Sequence, residues 1–276
     1  MPELPEVEVV RRGLSDRIAG NTITEVSAGD VSLRRPIPLH AMRHYTIGAT
    51  IEQVRRRAKY LLIDLDNGAV LIIHLGMTGK LGLFAGTTAP LRHDHISWIF
   101  ADGRHLRFND SRRFGAIYLL HGENVAQQER DFFSAAGVEP FSDQFDGRYL
   151  RKRAKNRIVP VKNFIMDGRI VSGVGNIYAN ESLFLAGIRP TRPAGSISLV
   201  RWQRLADAIR VVLAEAISQG GSTISNFLGV DGDGGYFQLA FCVYGKAGHP
   251  CPHCTRPIKR IVLAGRATYY CTRCQR

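Results

Sequence analysis

Two Cys-x2-Cys pairs, Cys251-Pro-His-Cys254 and Cys271-Thr-Arg-Cys274, stand 16 residues apart near the end of this 276-residue chain. That spacing lets two tight turns gather four thiolates into a tetrahedron, the coordination of a structural Zn²⁺. Four protein ligands close the shell, so such a metal holds the fold and does not reach a substrate. Disulfides are the competing use of these cysteines. They need an oxidising compartment, and Met1-Pro2-Glu3 opens no apolar export signal. The apolar runs are too short to span a bilayer, so a cytoplasmic chain with no membrane partner is expected. The fifth cysteine, Cys242, sits among Leu239, Ala240, Phe241 and Val243, which predicts burial.

Between the two pairs, Gly265-Arg266-Ala267-Thr268-Tyr269-Tyr270 reads as a hairpin with Arg266 at its tip, pointing away from the metal. The charge balance says what such a hairpin meets. Lys and Arg number 37 against 24 Asp and Glu, a net charge of +13. No acidic residue follows Asp233, whereas seven Lys or Arg do. Further clusters lie at Arg55, Arg56, Arg57 and Lys59, and at Arg151, Lys152, Arg153, Lys155 and Arg157. Cations in such numbers displace the counterions of a phosphate backbone, so the partner expected is nucleic acid.

The organisation along the chain is α+β and multidomain. Val7, Val10, Leu14 and Ile18 recur at helical spacing after a Pro-Glu start, and Gly20-Asn21 ends the pattern. Residues 22–120 then read as strands. Lys59–Asp66 and Ala69–His74 flank an Asn67-Gly68 turn, and Ile96, Trp98 and Phe100 lead through Asp102-Gly103 to Leu106 and Phe108. Successive hairpins predict a β-sandwich. Residues 123–220 read as helical, with Trp202, Leu205, Ile209, Leu213 and Ile217 on one face and Gly220-Gly221 as the stop. Three parts follow: 1–135, an N-terminal helix plus β-sandwich; 136–236, a helical module; and 237–276, a zinc hairpin with four cysteine ligands.

The opening Met1-Pro2-Glu3-Leu4-Pro5-Glu6-Val7-Glu8 carries potential chemistry. Removal of Met1 leaves Pro2 with a secondary amine that is partly unprotonated near neutrality. Attack by that amine on a sugar C1′ gives an iminium that stays cationic. It acidifies the neighbouring C2′–H, so base loss and strand elimination share one nucleophile. Glu3 and Glu6 supply carboxylates for proton transfer beside it.

Residues 2–8 resemble the start of the bacterial formamidopyrimidine-DNA glycosylases, the Fpg or MutM branch of the Fpg/Nei family. The resemblance continues through Arg57-Ala58-Lys59-Tyr60-Leu61, His74-Leu75-Gly76-Met77-Thr78-Gly79, Arg112-Arg113-Phe114-Gly115 and Gly173-Val174-Gly175-Asn176-Ile177-Tyr178-Ala179 into the cysteine module. It covers the whole chain in order. Leu4 favours this branch over the endonuclease VIII group, which usually has Gly there.

The resemblance implies a bifunctional enzyme that excises 8-oxoguanine and formamidopyrimidines from damaged double-stranded DNA and cuts the abasic strand by β,δ-elimination. By that resemblance Pro2 is the Schiff-base nucleophile, Glu3 the acid–base partner and Glu6 its support. Lys59 assists β-elimination and holds a phosphate, and Arg266 grips phosphate and serves δ-elimination. A base that is cut must first leave the stack. Met77, Arg112 and Phe114 then match the residues that fill the void, apolar wedges with a cation. His93, Arg157, Lys162 and Asn176 match DNA contacts, Asn176 within a helix–two-turn–helix unit whose second helix start holds phosphate. One structural Zn²⁺, no organic cofactor and a monomer are expected.

Two departures stand out. Ser111 replaces a proline common before Arg112, which predicts a less rigid loop. Asp233 replaces a lysine in Val230-Asp231-Gly232-Asp233-Gly234-Gly235, the stretch that in the family covers the flipped base, which puts lesion preference in question. Two other readings share many of these features: a damage-binding module that does not cut, and an endonuclease VIII-like enzyme for oxidised pyrimidines. The Pro2-Glu3 pair with Lys59 argues against the first, and a lesion panel separates the second.

Overall fold

The computed structural model describes residues 2–29, 32–221 and 241–276, together with the backbone of 227–228. In chain order the elements are α1 (Leu4–Ile18), β1 (Ile23–Ala28), α2 (Leu39–Thr46), β2 (Ile51–Arg57), β3 (Tyr60–Leu65), β4 (Val70–His74), β5 (Lys80–Ala85), β6 (Asp94–Phe100), β7 (Arg104–Asn109) and β8 (Ala116–Leu120). Then follow α3 (Val125–Phe132), α4 (Gly147–Ala154), α5 (Val161–Met166), α6 (Asn176–Leu185), α7 (Leu199–Ser218), β9 (Phe227–Leu228), β10 (Lys259–Leu263) and β11 (Arg266–Tyr270). They divide into two compact units, Met1–Ser134 with Gly220–Gln238, and Ala135–Gln219 with Leu239–Arg276.

In the first unit α1 buries the stripe Leu4, Val7, Val10, Leu14 and Ile18. This is the face the helical spacing predicts, and Gly20, at φ +78°, turns the chain out of it. The strands form two sheets, β1-β6-β7-β5-β9 and β2-β3-β4-β8. Both expected hairpins form: Asp64 pairs with Val70 across Asn67-Gly68, and β6 pairs with β7 across Asp102-Gly103. Alternate side chains of the two sheets meet in one core with α1, including Leu61, Ile63, Leu71, Ile73, Trp98, Phe100 and Phe108. The last strand, β9, joins parallel to β5, with Leu81 opposite Phe227.

The second unit is helical. Trp202, Leu205, Ile209 and Leu213 of α7 are fully buried, and Trp202 packs on Phe164 of α5. Ile217, placed by the periodicity on the same face, is only half-buried, and Ala216 takes the inner position. The cysteine hairpin, β10 with β11, belongs to this same unit. Among the described residues no helix is long and apolar enough to cross a membrane.

Candidate functional site

The start of α1 is built from carboxylates. Glu3 is the N-cap; its side chain accepts from the Glu6 backbone, and the Glu6 side chain accepts from the Glu3 N–H at 2.7 Å. This reciprocal capping box uses glutamate where Ser or Asp is the usual cap. Pro2 is buried beside it, and Glu3 and Glu6 are only 2% and 3% exposed. The positive end of the helix dipole favours both negative charges there. Gly221, at φ +81°, closes over Glu6; a Cβ on it would lie 3.4 Å from the Glu6 side chain.

Lys59 sits in the two-residue turn between β2 and β3, bracketed by the Arg57–Tyr60 pair. Its neighbour Ala58 has φ +54°, a left-handed conformation that costs a non-glycine residue roughly 1 kcal/mol or more. That strain stands directly beside the expected catalytic lysine, as strain often does at working sites. Arg56 holds the turn in place: its Nη1 donates to the Ala58 carbonyl at 3.0 Å and its Nε pairs with Glu8 of α1 at 3.1 Å. Burial alone would lift the Glu8 carboxyl. The hydrogen bonds and charges of Arg11, Arg12 and Arg56 outweigh it and hold the group below its ordinary value. Arg55 is engaged internally as well, bridging Asp64 at 2.6 Å and Glu129 at 2.9 Å. Arg55 and Arg56 therefore have structural partners within the fold.

His74 ends β4, opposite Tyr60 and with its ring 4.8 Å from the tyrosine ring. Burial first, then the charges of Lys59 and Arg34, push its pKa down to about 4. The neutral ring accepts the Gly76 N–H on Nδ1 at 3.1 Å, at the entry to the loop that carries Met77. Met77 is 38% exposed and Phe114 44%, too much for core residues. The Arg112 guanidinium lies over the Phe114 ring, 4.9 Å from its centroid. His93 is half-buried at φ +76°. The Met77 and Phe114 loops touch backbone to backbone: a Cβ on Gly76 would lie 2.4 Å from the Phe114 carbonyl carbon.

In the second unit the four cysteine sulfurs all lie within 4.8 Å of one another, with 3.9 Å between Cys251 and Cys274 and 3.4 Å between Cys254 and Cys271. Thiolates on a tetrahedral Zn²⁺ sit about 3.8 Å apart, so the cluster fits a structural zinc site. Burial lifts the Cys251 thiol; at Cys271 burial acts the same way, but the backbone N–H groups of Cys274 and Arg273, with hydrogen bonds from the Cys254 and Cys251 thiols, outweigh it and bring the thiol down to about 7. Arg266 is exposed at the first residue of β11, beside the Ala264-Gly265 turn, where the hairpin reading places it.

Two expected sites need correction. Lys162 is 1% exposed, and its Nζ donates to the Ala267 carbonyl at 2.9 Å and to Thr268 Oγ1 at 2.6 Å. A buried ammonium so engaged holds the strand after Arg266 and does not meet DNA at the surface. Cys242 is exposed, because Val243 takes the buried place next to it. Asn176 also turns to the hairpin: its amide donates to the Ala267 carbonyl at 3.1 Å. Arg157 is exposed. Asp233 lies outside the described residues.

Residue-by-residue reading passes over Glu181 and Asp110. The Glu181 carboxylate, on α6, accepts the N–H groups of Cys242, Val243 and Tyr244 and fastens the entry to the cysteine module. Its only sequence signal is a lone charge on an otherwise uncharged helix. Asp110 lies in the Arg112 loop and accepts from Thr78 Oγ1 at 2.5 Å and from the Gly115 N–H at 2.7 Å.

Comparison with known proteins accounts for this combination. The family model for the formamidopyrimidine-DNA glycosylase N-terminal domain matches residues 1–117, that for the H2TH domain of the same glycosylase 136–227, and that for the zinc finger found in FPG and IleRS 248–276. A formamidopyrimidine-DNA glycosylase of Paraburkholderia phymatum is 50% identical over the full length of both chains. The crystal structure of Lactococcus lactis Fpg with abasic-site DNA matches at 34% identity and a TM-score of 0.88, covering 99% of each chain. The structure of the same protein with DNA containing Fapy-dG matches equally well.

Proposed function

The chain belongs to the formamidopyrimidine-DNA glycosylase family, and from that premise we propose how its own residues divide the work. The enzyme is a bifunctional DNA glycosylase and abasic-site lyase of base excision repair that acts on oxidised purines in duplex DNA. Its zinc site is structural. Pro2, freed by removal of Met1, attacks C1′ and expels the base; the C1′–O4′ bond then breaks, O4′ takes up a proton as the sugar ring opens, and the resulting C1′ iminium acidifies the C2′–H for removal by a base. Glu3 moves protons at that centre, and Glu6 fixes the helix start on which Glu3 stands. Loss of the C2′ proton expels the 3′ phosphate (β-elimination), and a second elimination expels the 5′ phosphate. Lys59 and Arg266 hold those phosphates as they leave.

The observation that carries the reading is the pair of buried carboxylates beside Pro2, each accepting the other residue's backbone N–H. Helix capping alone is served by one short Ser, Thr, Asp or Asn side chain; two buried glutamates beside a terminal secondary amine add proton-transfer groups that a module that only binds damage does not need. Met77 and Phe114 fill the space of the extruded base, with Arg112 facing the orphaned partner and His93 and Arg157 on the backbone. The parts 1–135, 136–236 and 237–276 serve as catalytic, DNA-gripping and phosphate-gripping pieces of a cytoplasmic, nucleoid-associated monomer.

Borohydride trapping on a duplex with one 8-oxoguanine opposite cytosine tests this. A covalent adduct mapped to Pro2 by mass spectrometry is expected, lost in Pro2→Gly and in an N-terminally extended chain. Binding without adduct or strand cut, on this lesion, a formamidopyrimidine and a plain abasic site, would overturn the reading in favour of a non-cutting damage binder.

A further inference from the structure

Asp110 follows directly on β7 and is fully buried, and its side chain and backbone bond both within its own loop and to neighbouring segments. Oδ1 accepts from the Thr78 hydroxyl at 2.5 Å and from the Arg112 N–H at 3.3 Å. Oδ2 accepts from the Gly115 N–H at 2.7 Å. The Thr78 hydroxyl in turn accepts from the Arg112 N–H at 3.1 Å. The Asp110 N–H donates to the His93 carbonyl at 3.1 Å, and its carbonyl accepts from buried His95 Nε2 at 2.7 Å. One residue thus ties together the loop of Met77, the turn of His93 and the loop of Arg112 and Phe114.

We propose that Asp110 is a positioning residue that makes these three loops engage the DNA as one rigid body. The inference rests on the reading of Met77, Arg112, Phe114 and His93 as DNA-facing. A single wedge on a mobile loop loses orientational entropy when it enters the stack, whereas loops already bonded to one carboxylate have lost it during folding. Gly76 and Gly115 serve the same end. A Cβ on Gly115 would lie 2.5 Å from the Phe108 ring and 3.0 Å from Asp110 Oδ2, so the loops close to backbone distance only around glycine.

Asp110→Asn keeps the shape but turns one acceptor into a donor facing donors. Loss of a buried charge-assisted hydrogen bond predicts a fall in kcat/KM of about 10- to 100-fold on an 8-oxoguanine duplex. Cleavage of a single-stranded abasic oligonucleotide, which has no partner base to replace, should stay within about 3-fold. In the natural chain Met77→Ala and Arg112→Ala should be non-additive on the duplex, and in the Asp110→Asn background they should become additive. Should Asp110→Asn fail to fold, Thr78→Val removes one bridge and should show the same selectivity at smaller amplitude. Equal loss on both substrates would mean general damage and overturn the positioning role. So would full duplex activity in Asp110→Asn while Met77→Ala and Arg112→Ala are crippled. If Met77→Ala and Arg112→Ala leave excision untouched, the DNA-facing reading itself falls and the inference with it.

Discussion

Glu3, Lys59 and the Met77 loop stand on a core that runs from Leu14 of α1 through Trp98, Phe100 and Phe108. Arg266 stands on far less: Phe184, Val243, Ile258 and the cysteines form the small cluster behind it. What the hairpin lacks in apolar area it makes up in directed bonds. Asn180 accepts the Tyr269 N–H at 2.7 Å, Gln275 joins Cys271 to the Ile188 carbonyl, and Lys162 grips Ala267 and Thr268. A sheet pair of this size fixes its loops by burial. A hairpin of five-residue strands cannot, so metal and buried polar groups specify its place.

The strongest way to break this contrast is to strip the metal. Structural Zn²⁺ contributes roughly 10–16 kcal/mol to such modules. A strong chelator should unfold the hairpin and cut incision more than about 100-fold, with the sandwich's own calorimetric transition left in place. If both transitions move together, the two regions are not held by different means.

A second test touches the sandwich alone. His74 has a pKa of about 4 in the fold, against about 6.5 in an unfolded chain. Between those values the unfolded chain binds the extra proton. Stability is therefore complete above about pH 6.5 and drains as pH falls toward 4, by about 2–3 kcal/mol. Protonation also sets an N–H of Nδ1 against the Gly76 N–H. Denaturant titrations across this range should show the acid limb, and His74→Gln should flatten it. An unchanged limb in that variant would place the proton elsewhere.

The smallest effect sharpens the comparison at the helix start. Glu6→Ala removes one half of the capping box and should cost about 1 kcal/mol. Thermal unfolding checks the stability loss, and a slower adduct-forming rate on abasic DNA would separate Glu6's support of Glu3 from simple helix capping.

Much of this is legible in the sequence where the information is local. The stripe of α1, the turns at Asn67-Gly68 and Asp102-Gly103, and the cysteine spacing each need only a few neighbouring residues to read. Lys162 defeats such reading because its partner Thr268 lies 106 residues away. A lysine that meets phosphate and one that caps a buried strand look alike in sequence. Cys242 is off by one position, since strand and loop phases cannot be told apart around a single apolar cluster. Asp110 escapes because its bonds run between turns, where no periodicity exists to flag it.

The parallel pairing of β9 with β5 has a consequence for synthesis. Strand β5 is complete at residue 85, but the two-residue strand that pairs with Leu81 and Gly82 on its outer edge begins at residue 227. At ribosomal speeds roughly 7–30 s pass between them, long enough for a sandwich to form with one edge bare. Bare edges recruit other strands. The nascent chain therefore exposes the Leu81–Gly82 edge until α4 through α7 have been made, and a fragment truncated before residue 227 would expose it permanently.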